Sequence, residues 1–455
     1  MSALLKCTPQ TRTDLCFECQ HDLLDCPRSE YKMIDEDWKY FSYAGAITPG
    51  GPSRWDILDW DQRRTISVNL ATEEDDSDVA INLLRKHAYK LDPDVFAITI
   101  SEQNELAVSK DPEDDETQVP HYPALNDVEY AARTQTVSRR QLREVERFGP
   151  NVDLTCYASP NSGGAKKVVF KYYFLDRFLF RRWDELDIWM RLPPHPFIVP
   201  FDRLVVDSLE GREVIVGFTS VYIPGGTVEE NVSRIFRLEW LKQLLCAVDD
   251  LNLKYGIQHQ DIAPRNLLVD EEADKLLVFD FNFAARIGYP IQEEDHAQYD
   301  VDRGDVKGAV FTIYEIITRD MHFRDVPHDE QDSTQILNME QWQQHPQVRL
   351  DHPVAEFRSV LNSWINSRRQ LQQVNHYTEA PEYIDWPQLK PPHHDDPAYS
   401  DLNIDGDGYE VEWSAYCRDK REQGLDFLDW QRPPQSEIPQ GSYVLASGAI
   451  ITEER

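Results

Sequence analysis

Long apolar runs are missing from this sequence of 455 residues. No run of about 18 consecutive apolar residues occurs, so the sequence predicts no membrane-spanning helix. The first ten residues, MSALLKCTPQ, also lack the charged start and the long apolar core of a secretory signal peptide. In a chain without such a signal, the seven cysteines are expected to be reduced thiols. These absences predict a soluble protein of the cytoplasm or nucleus that is not secreted and has no membrane partner.

Basic residues are scarce relative to acidic ones. Lys and Arg number 47 against 81 Asp and Glu, which leaves a formal net charge of −34. Because nucleic acids and anionic membranes are bound through basic patches, this deficit argues against either as a main partner. The 41% of apolar residues suffice for at least one large core, and the length leaves room for two or three domains.

Four of the seven cysteines lie near the start of the chain, at Cys7, Cys16, Cys19 and Cys26. Cys16 and Cys19 have the spacing of zinc ligands, but Cys7 and Cys26 do not form a second pair of that spacing. We therefore interpret these residues as free thiols, with a structural zinc site as the alternative.

An EF-hand-like pattern lies near the other end, in DLNIDGDGYEVE (401–412). It offers calcium ligands at Asp401, Asn403, Asp405 and Glu412. However, Gly408 replaces the usual apolar residue, and prolines upstream argue against an entering helix. An acidic surface turn is the favoured interpretation, with calcium binding as the alternative.

The clearest local pattern is GIQHQDIAPRNLLVDEEADKLLVFDFNFAARIG, from Gly256 to Gly288. The apolar runs LLV and KLLVFDF, separated by the polar DEEAD, predict a β-hairpin. Asn266 and Asp280 fall at its two ends, where an amide oxygen and a carboxylate suit Mg²⁺. Asp261, on an irregular turn upstream, is placed to accept a proton from an incoming hydroxyl.

This stretch resembles the catalytic loop and the metal-binding loop of the protein kinase superfamily. His259-Gln260-Asp261 stands where that family has His-Arg-Asp, and Asp280-Phe281-Asn282 stands where it has Asp-Phe-Gly. The Asp-x4-Asn spacing is also similar to that of the aminoglycoside and choline kinases, which share the fold. The resemblance implies a phosphotransferase that uses ATP and Mg²⁺.

The roles of individual residues follow from the resemblance. Asp261 would position the acceptor hydroxyl, while Asn266 and Asp280 would bind the metal ion. Arg265 would stabilise charge on the transferred group, as its counterpart does in tyrosine kinases.

Segments upstream match the same family in the same order. Lys171, in the strand-like AKKVVFKYYFL, stands where kinases carry the lysine that contacts the α- and β-phosphates. Glu185, in a pattern with helical periodicity, stands where a glutamate orients that lysine. Gly149 and Val152 fall in the segment of the phosphate loop, where the resemblance implies contacts with the nucleotide.

The segment EVIVGFTSVYIPGG (213–226) resembles the fifth strand and the hinge of a kinase. The resemblance places Ser220 at the gatekeeper position. It also implies that Val221 to Ile223 offer backbone groups to adenine.

The resemblance extends to DVKGAVFTIYEIIT (305–318), which matches a helix of the protein kinases. In that helix, Asp305 would accept backbone hydrogen bonds from the catalytic loop. The implied fold is α+β, with two lobes: a small antiparallel β lobe over about 139–224 and a larger α-helical lobe over about 225–371. Residues 1–138 would be an acidic extension of unknown fold, and 372–455 a Pro- and acid-rich extension.

Four features depart from the family. The phosphate loop has one glycine, Gly149, where the family has three. Gln260 replaces the arginine that pairs with a phosphorylated activation loop, which argues against control by such a phosphate. Asn282 replaces a glycine, although Asn tolerates a positive φ. Only 22 residues separate Asn282 from Asp305, and they contain no Ala-Pro-Glu.

The leading hypothesis is therefore an active kinase that transfers the γ-phosphate of ATP to a hydroxyl of a protein or a small molecule. Two alternatives stay open. One is a pseudokinase that acts as a binding scaffold, and the other is a small-molecule kinase similar to the aminoglycoside and choline kinases.

Overall fold

The computed structural model describes most of the chain between residues 34 and 452. The described residues are 34, 36–101, 103, 105–117, 122–159, 164–173, 179–209, 211–289, 298–387, 420, 422–424 and 427–452. The four cysteines near the start and the EF-hand-like loop, both considered above as metal sites, lie outside these residues. Among the described helices, none has the length and apolar content needed to cross a bilayer.

The first folded unit is a five-stranded sheet with a helix on one face. Its strands, in both chain and spatial order, are β1 (Tyr40–Ile47), β2 (Ser53–Asp59), β3 (Arg64–Leu70), β4 (Ala97–Ile100) and β5 (Leu106–Ser109). Helix α1 (Ser77–Arg85) connects β3 to β4, which pair in parallel. The Asp76 carboxylate caps α1 by accepting the Asp78 N–H at 2.9 Å. Ala80 and Leu84 of the helix are buried in the core of this unit.

A second sheet follows, with six strands. They are β6 (Thr136–Ser138), β7 (Arg143–Gly149), β8 (Val152–Ser159), β9 (Gly164–Tyr172), β10 (Phe201–Leu209) and β11 (Arg212–Val221). The spatial order is β6-β10-β11-β9-β8-β7, antiparallel except for β6 with β10. Helix α2 (Leu179–Arg191) lies between β9 and β10 in the chain.

The next part of the chain is mainly helical. Its helices are α3 (Leu238–Asp249), α4 (Asp305–Thr318), α5 (Ser333–Leu337) and α6 (Val354–Gln370), and one π-helical turn, Asp250–Lys254, extends α3. Its short strands, with two more near the end of the chain, are β12 (Ile235–Phe236), β13 (Ile257–Gln258), β14 (Leu267–Asp270), β15 (Lys275–Val278), β16 (Ala285–Arg286), β17 (Arg349–Leu350), β18 (Ser442–Val444) and β19 (Ile450–Thr452). The predicted hairpin is present, because β14 pairs antiparallel with β15 and Leu267 lies opposite Val278.

Packing continues across both of the domain boundaries that the sequence suggested. Strand β6 lies before residue 139 and pairs with β10 inside the six-stranded sheet. Trp430, from the C-terminal part, stacks on Tyr172 with ring centroids 5.3 Å apart. Its indole N–H also donates to the Tyr122 hydroxyl at 2.7 Å. Residues before 139 and after 371 therefore share one core with the central sheet.

A buried network of charged side chains joins the two sheets to the C-terminal part. It consists of three arginines and three acids, namely Arg63, Arg147, Arg432, Asp61, Glu144 and Asp153. Each of these side chains is at most 4% exposed. Because burying a charge without a partner is costly, the equal numbers of cations and carboxylates are what make this arrangement tolerable.

Arg63 lies at the centre of this network. One of its guanidinium nitrogens is 2.7 Å from Glu144 and 2.6 Å from Asp153, which lie on adjacent strands of the six-stranded sheet. Another nitrogen donates to the Ala446 carbonyl at 2.9 Å. Arg432 then reaches the second Glu144 oxygen at 2.9 Å. The β7–β8 hairpin is thus held from the N-terminal and the C-terminal sides.

Replacing Arg63 with methionine should lower the free energy of unfolding by about 3–5 kcal/mol, because Glu144 and Asp153 would remain buried without this cation. Chemical denaturation at neutral pH measures the change. The control is Arg237→Met, since Arg237 and Asp274 form an exposed ion pair with side chains 49% and 47% accessible. That pair should contribute about 0–1 kcal/mol. Equal effects of the two substitutions would contradict a structural role for the buried network.

Candidate functional site

Three elements meet at the Lys171 ammonium. Lys171 lies on β9 and points to the face opposite the buried rings of Phe170 and Tyr172. Its Nζ is 2.6 Å from the Glu185 carboxylate on helix α2 and also forms an ion pair with Asp280, just after β15. The structure thus brings together the sheet, the helix and the predicted metal-binding loop around one cation.

The charges in this cluster stabilise one another. Burial alone would lower the pKa of Lys171, but the nearby carboxylates of Asp280 and Glu185 outweigh burial and raise it. Burial alone would raise the pKa of Asp280, but the Lys171 ammonium outweighs it, and the pKa of Asp280 lies below its ordinary value. Lys171 and Asp280 are therefore both charged at neutral pH.

Asp261 is held by two side chains of its own loop. The Asn266 amide nitrogen donates to the Asp261 backbone carbonyl and to its Oδ2, both at 2.8 Å. Arg265 donates to the other carboxylate oxygen at 2.5 Å, although the Arg265 side chain is 49% exposed. These bonds use both amide hydrogens of Asn266, which leaves its Oδ1 as the atom suited to a cation.

The two predicted metal ligands are at adjacent ends of the hairpin. Asn266 precedes β14 and Asp280 follows β15, and the Phe279 N–H donates to the Asn266 carbonyl at 3.3 Å. Asp280 has a φ of 68°, in the left-handed region that residues other than glycine seldom adopt. One carboxylate and one amide oxygen are available here, and this is the donor chemistry that Mg²⁺ prefers.

The loop that the sequence predicts to be catalytic is held in place by Asp305, the first residue of α4. Its carboxylate accepts the backbone N–H groups of His259 and Gln260, each at 2.8 Å, and the Asn252 side chain at 2.7 Å. These are the backbone hydrogen bonds expected for Asp305 from the sequence. Gln260 has a φ of 62°, so this support holds the loop in an uncommon backbone conformation just before Asp261.

A column of aromatic side chains, which the sequence analysis did not identify, connects helix α2 to this loop. The Phe281 ring is fully buried between Trp189 of α2, with centroids 5.5 Å apart, and His259, with centroids 5.0 Å apart. Aromatic contacts of this kind stabilise beyond the area they bury. The aromatic residue at position 189 of the helical pattern was the available signal, but the sequence did not indicate its partners.

The expected phosphate loop is a tight turn. Gly149 lies directly opposite Val152 in the β7–β8 pair, so only residues 150–151 form the connection. A side chain at Gly149 would contact the Trp38 ring, which lies 3.9 Å from the position of a Cβ atom. Val152 lies opposite Lys171 on the adjacent strand and therefore shares its face of the sheet.

The hinge residues lie on the same sheet. Ser220 of β11 pairs with Val169 of β9, two residues from Lys171, and is therefore on the same face. Ile223 is buried as well. The Val221 N–H, however, donates to the Pro200 carbonyl at 3.0 Å. The β10–β11 connection therefore uses this N–H, and the expectation that Val221 to Ile223 offer backbone groups to adenine stays a prediction.

Gln260 stands where the kinase family has an arginine. It connects the two ends of the segment that follows Asp280-Phe281-Asn282. Its side-chain amide donates to the carbonyls of Phe283 at 2.7 Å and Gln298 at 2.8 Å. Its side-chain oxygen accepts the Asp300 N–H at 2.5 Å. A neutral amide thus makes the contacts here, and residues 290–297 of the segment lie outside the described residues.

One cluster among the described residues has the composition of a metal site. His195, Cys246 and Asp250 bring possible metal ligands within 4.8 Å of one another. However, the His195 Nδ1 accepts the Phe197 N–H at 3.1 Å, so Nε2 carries the proton and donates to Asp250 at 2.9 Å. A metal ion would need the lone pair of that Nε2. The arrangement is a hydrogen-bonded pair beside an exposed thiol.

A groove opens beside Pro264, in the loop predicted to be catalytic. Pro264 lines it together with Ile316 of α4, Trp240 of α3 and residues between 228 and 236. Neither Lys171 nor Asp280 is among its lining residues. The residues that line the groove are therefore different from those of the ion-pair cluster.

Replacing Lys171 with methionine should destabilise the protein in a pH-dependent way. In the native chain the pKa of Asp280 is lowered, so its ionised form adds stability above the ordinary carboxyl pKa, and that stability is lost as the pH falls. Without the ammonium, burial would raise the pKa of Asp280. The difference in unfolding free energy between the two proteins should therefore grow from about pH 4 to about pH 7.5.

Denaturation curves at both pH values measure this difference, and Lys167→Met, on the same strand, is the matched control. A difference that is the same at both pH values would show that Asp280 does not depend on Lys171 for its charge.

Comparison with known proteins relates part of the chain to protein kinases. The chain is 33% identical over 128 residues to CBL-interacting serine/threonine-protein kinase 16 of Arabidopsis thaliana. This match covers 27% of this chain and 26% of that protein. It is 31% identical over 102 residues to CBL-interacting serine/threonine-protein kinase 20 of the same plant, covering 21% of each. The chain thus matches about a quarter of the length of these relatives or less. No protein-family model matches the chain.

Proposed function

We propose that this chain is an ATP- and Mg²⁺-dependent phosphotransferase on a two-lobed, protein-kinase-like fold. The six-stranded sheet with α2 would form the small lobe, and helices α3 to α6 the large lobe. The observation that carries the proposal is the ion-pair cluster of Lys171 with Glu185 and Asp280. A lysine held by a helix carboxylate and turned toward a metal-binding carboxylate is the arrangement that phosphoryl transfer requires for placing nucleotide phosphates.

The donor atoms fit a hard divalent cation. Asn266 Oδ1 and the Asp280 carboxylate are oxygen ligands at adjacent ends of one hairpin, which is the donor type that Mg²⁺ prefers. A bound Mg²⁺ would neutralise phosphate charge as the transferred group leaves. Asp280 is already ionised at neutral pH because Lys171 lowers its pKa, so it can bind a cation without first losing a proton.

Asp261 is the residue placed to orient the acceptor. Its two oxygens are fixed by Asn266 and Arg265, so the carboxylate cannot rotate freely. A hydroxyl that donates to it would be aligned for attack and could pass its proton to the carboxylate. Arg265 keeps a half-exposed guanidinium next to the same group, where it can stabilise negative charge on the transferred phosphoryl group.

A protein is the acceptor that the site favours. The groove beside Pro264 is large enough for a side chain, and Arg265, the next residue in the chain, has a half-exposed side chain. Its walls are partly apolar, with Val228, Val232 and Ile316 among them. An extended peptide that carries a hydroxyl residue could place an adjoining apolar side chain there. The matched relatives are named serine/threonine-protein kinases, which agrees with such an acceptor.

A second candidate function is nucleotide binding without turnover. The tight turn of residues 150–151 favours it, because few backbone N–H groups there can surround phosphates. The anchoring of this hairpin by Arg63 also limits its closure over a nucleotide. In that case the cluster around Lys171 would bind ATP, but no phosphate would be transferred to an acceptor hydroxyl at Asp261.

Turnover of ATP with Mg²⁺ in the presence of a mixture of peptides decides between these functions. In Asp261→Asn, phosphate transfer should fall by about 10²–10⁴-fold, because asparagine keeps the shape of the side chain but cannot accept the proton. The melting temperature and ATP binding should be retained. The control is Glu272→Gln, in the exposed turn between β14 and β15.

Wild-type protein that binds ATP but shows the same residual turnover as Asp261→Asn would favour the second function. Turnover that is high and unaffected by Asp261→Asn would exclude the catalytic assignment of this residue.

A further inference from the structure

Residues 377–387, which we call the strap segment, follow helix α6. They pass close to both ends of the stretch from Gly256 to Gly288, which we call the central stretch. The Tyr377 N–H donates to the Ile287 carbonyl at 2.8 Å, and the Ile384 N–H donates to the Tyr255 carbonyl at 3.0 Å. Gly256 has a φ of +70°, and a Cβ atom there would lie 2.5 Å from the Tyr377 carbonyl oxygen. The backbone of the central stretch therefore needs a glycine at this place to let the strap segment approach.

The strap segment ends on helix α2. The Trp386 indole N–H donates to Asp184 Oδ1 at 2.8 Å, and the two side chains are almost fully buried, with Trp386 5% and Asp184 4% exposed. Asp184 directly precedes Glu185, whose carboxylate reaches Lys171. Successive residues of a helix point in directions about 100° apart, so the same turn contacts the strap segment on one side and Lys171 on another.

Arg286 connects Trp386 of the strap segment to the strand that precedes the catalytic loop. This buried arginine of β16 donates to the Trp386 carbonyl at 3.0 Å, forms an ion pair with Asp385, and lies 4.5 Å above the Trp386 ring. Strand β16 pairs with β13, where Ile257 lies opposite Arg286. The chain then runs within a few residues to Asp261. The position of α2 is thus linked to that of the catalytic loop.

We propose that the strap segment fixes helix α2 where Glu185 can bind Lys171, with Trp386 as a positioning residue. This rests on the proposed function for its consequence in catalysis, although the mechanical link does not. A helix turn held at both Asp184 and Glu185 cannot rotate without breaking a buried hydrogen bond to a carboxylate, which costs more than an ordinary one. The protein would thus contain its own activating contact, within one chain.

The test compares Trp386→Phe with Trp364→Phe in the full chain. Both remove an indole N–H that binds a carboxylate, since Trp364 donates to Asp249 at 2.9 Å, away from α2. Hydrogen exchange of the amides at 183–191 should become about tenfold faster in Trp386→Phe and stay within about twofold in the control. Unchanged exchange at 183–191 in Trp386→Phe overturns the proposal, whether or not the protein turns over ATP.

Two substitutions at Asp184 separate the effect of its hydrogen bond to Trp386 from the effect of side-chain packing. Asp184→Asn keeps an oxygen that can accept the indole N–H and should preserve most of the protection of α2, whereas Asp184→Leu should resemble Trp386→Phe. A result in which both Asp184 variants behave alike would overturn the role of this hydrogen bond.

The kinetic readout depends on the proposed function. In Trp386→Phe, fewer molecules would have α2 in the position that binds ATP, so the apparent affinity for ATP would fall with that fraction. The KM for ATP should therefore rise by about tenfold. At saturating ATP the bound molecules all have α2 in place, so kcat should stay within about twofold. In a Glu185→Gln background, the same substitution should have no further effect on KM. An additive effect in the double variant would contradict positioning through Glu185.

Discussion

The ion pairs of one ammonium group connect the parts of this fold on which its proposed chemistry depends. Lys171 contacts Glu185 on a helix and Asp280 on a loop, and neither carboxylate is near it in sequence. Glu185 is buried and the other two groups are partly buried, and here the carboxylates raise the pKa of Lys171 while its ammonium lowers the pKa of Asp280. A displacement of the helix or of the loop therefore removes one of the two favourable charge interactions of Lys171, and the ammonium holds both carboxylates in one relative position.

Other features of the protein hold the same elements in place. Asp305 supports the loop before Asp261, the Phe281 ring fills the space between helix and loop, and the strap segment contacts the helix from its other side. The buried arginine network fixes the β7–β8 hairpin. These contacts describe a site that is organised before any ligand binds, and preorganised charges are what lower the barrier of a phosphoryl transfer.

Much of the candidate site could be predicted from the sequence, because its signals are local. The β14–β15 hairpin follows from two apolar runs around an acidic turn, and it fixes Asn266 and Asp280 at its ends. The resemblance to the protein kinase superfamily also implied that Lys171 and Glu185 meet, and the structure brings them together. In each case a short pattern fixes the element, and the element fixes the direction of the side chain.

The rest depends on contacts that no local pattern encodes. Arg63 lies 81 and 90 residues from its two acidic partners, and charged residues usually face solvent, so nothing in the sequence marks it as buried. Trp386 lies in a Pro- and acid-rich stretch whose composition suggests a tail that wraps the core or is partly disordered, and it does not mark Trp386 as a residue that contacts α2. The Val221 N–H donates to Pro200, which lies 21 residues earlier in the chain, and no local pattern marks this pair. Such pairings are set by how distant parts of the chain pack.

The most direct measurement is a thermal melting titration with ATP, with and without Mg²⁺, on the wild type and on Asp280→Asn. A ligand that binds only the folded protein raises the melting temperature by mass action. The account predicts a rise of several degrees that requires Mg²⁺ in the wild type and is largely lost in Asp280→Asn. No rise at millimolar ATP, or an equal rise in both proteins, would contradict a nucleotide and metal site at the Lys171 cluster.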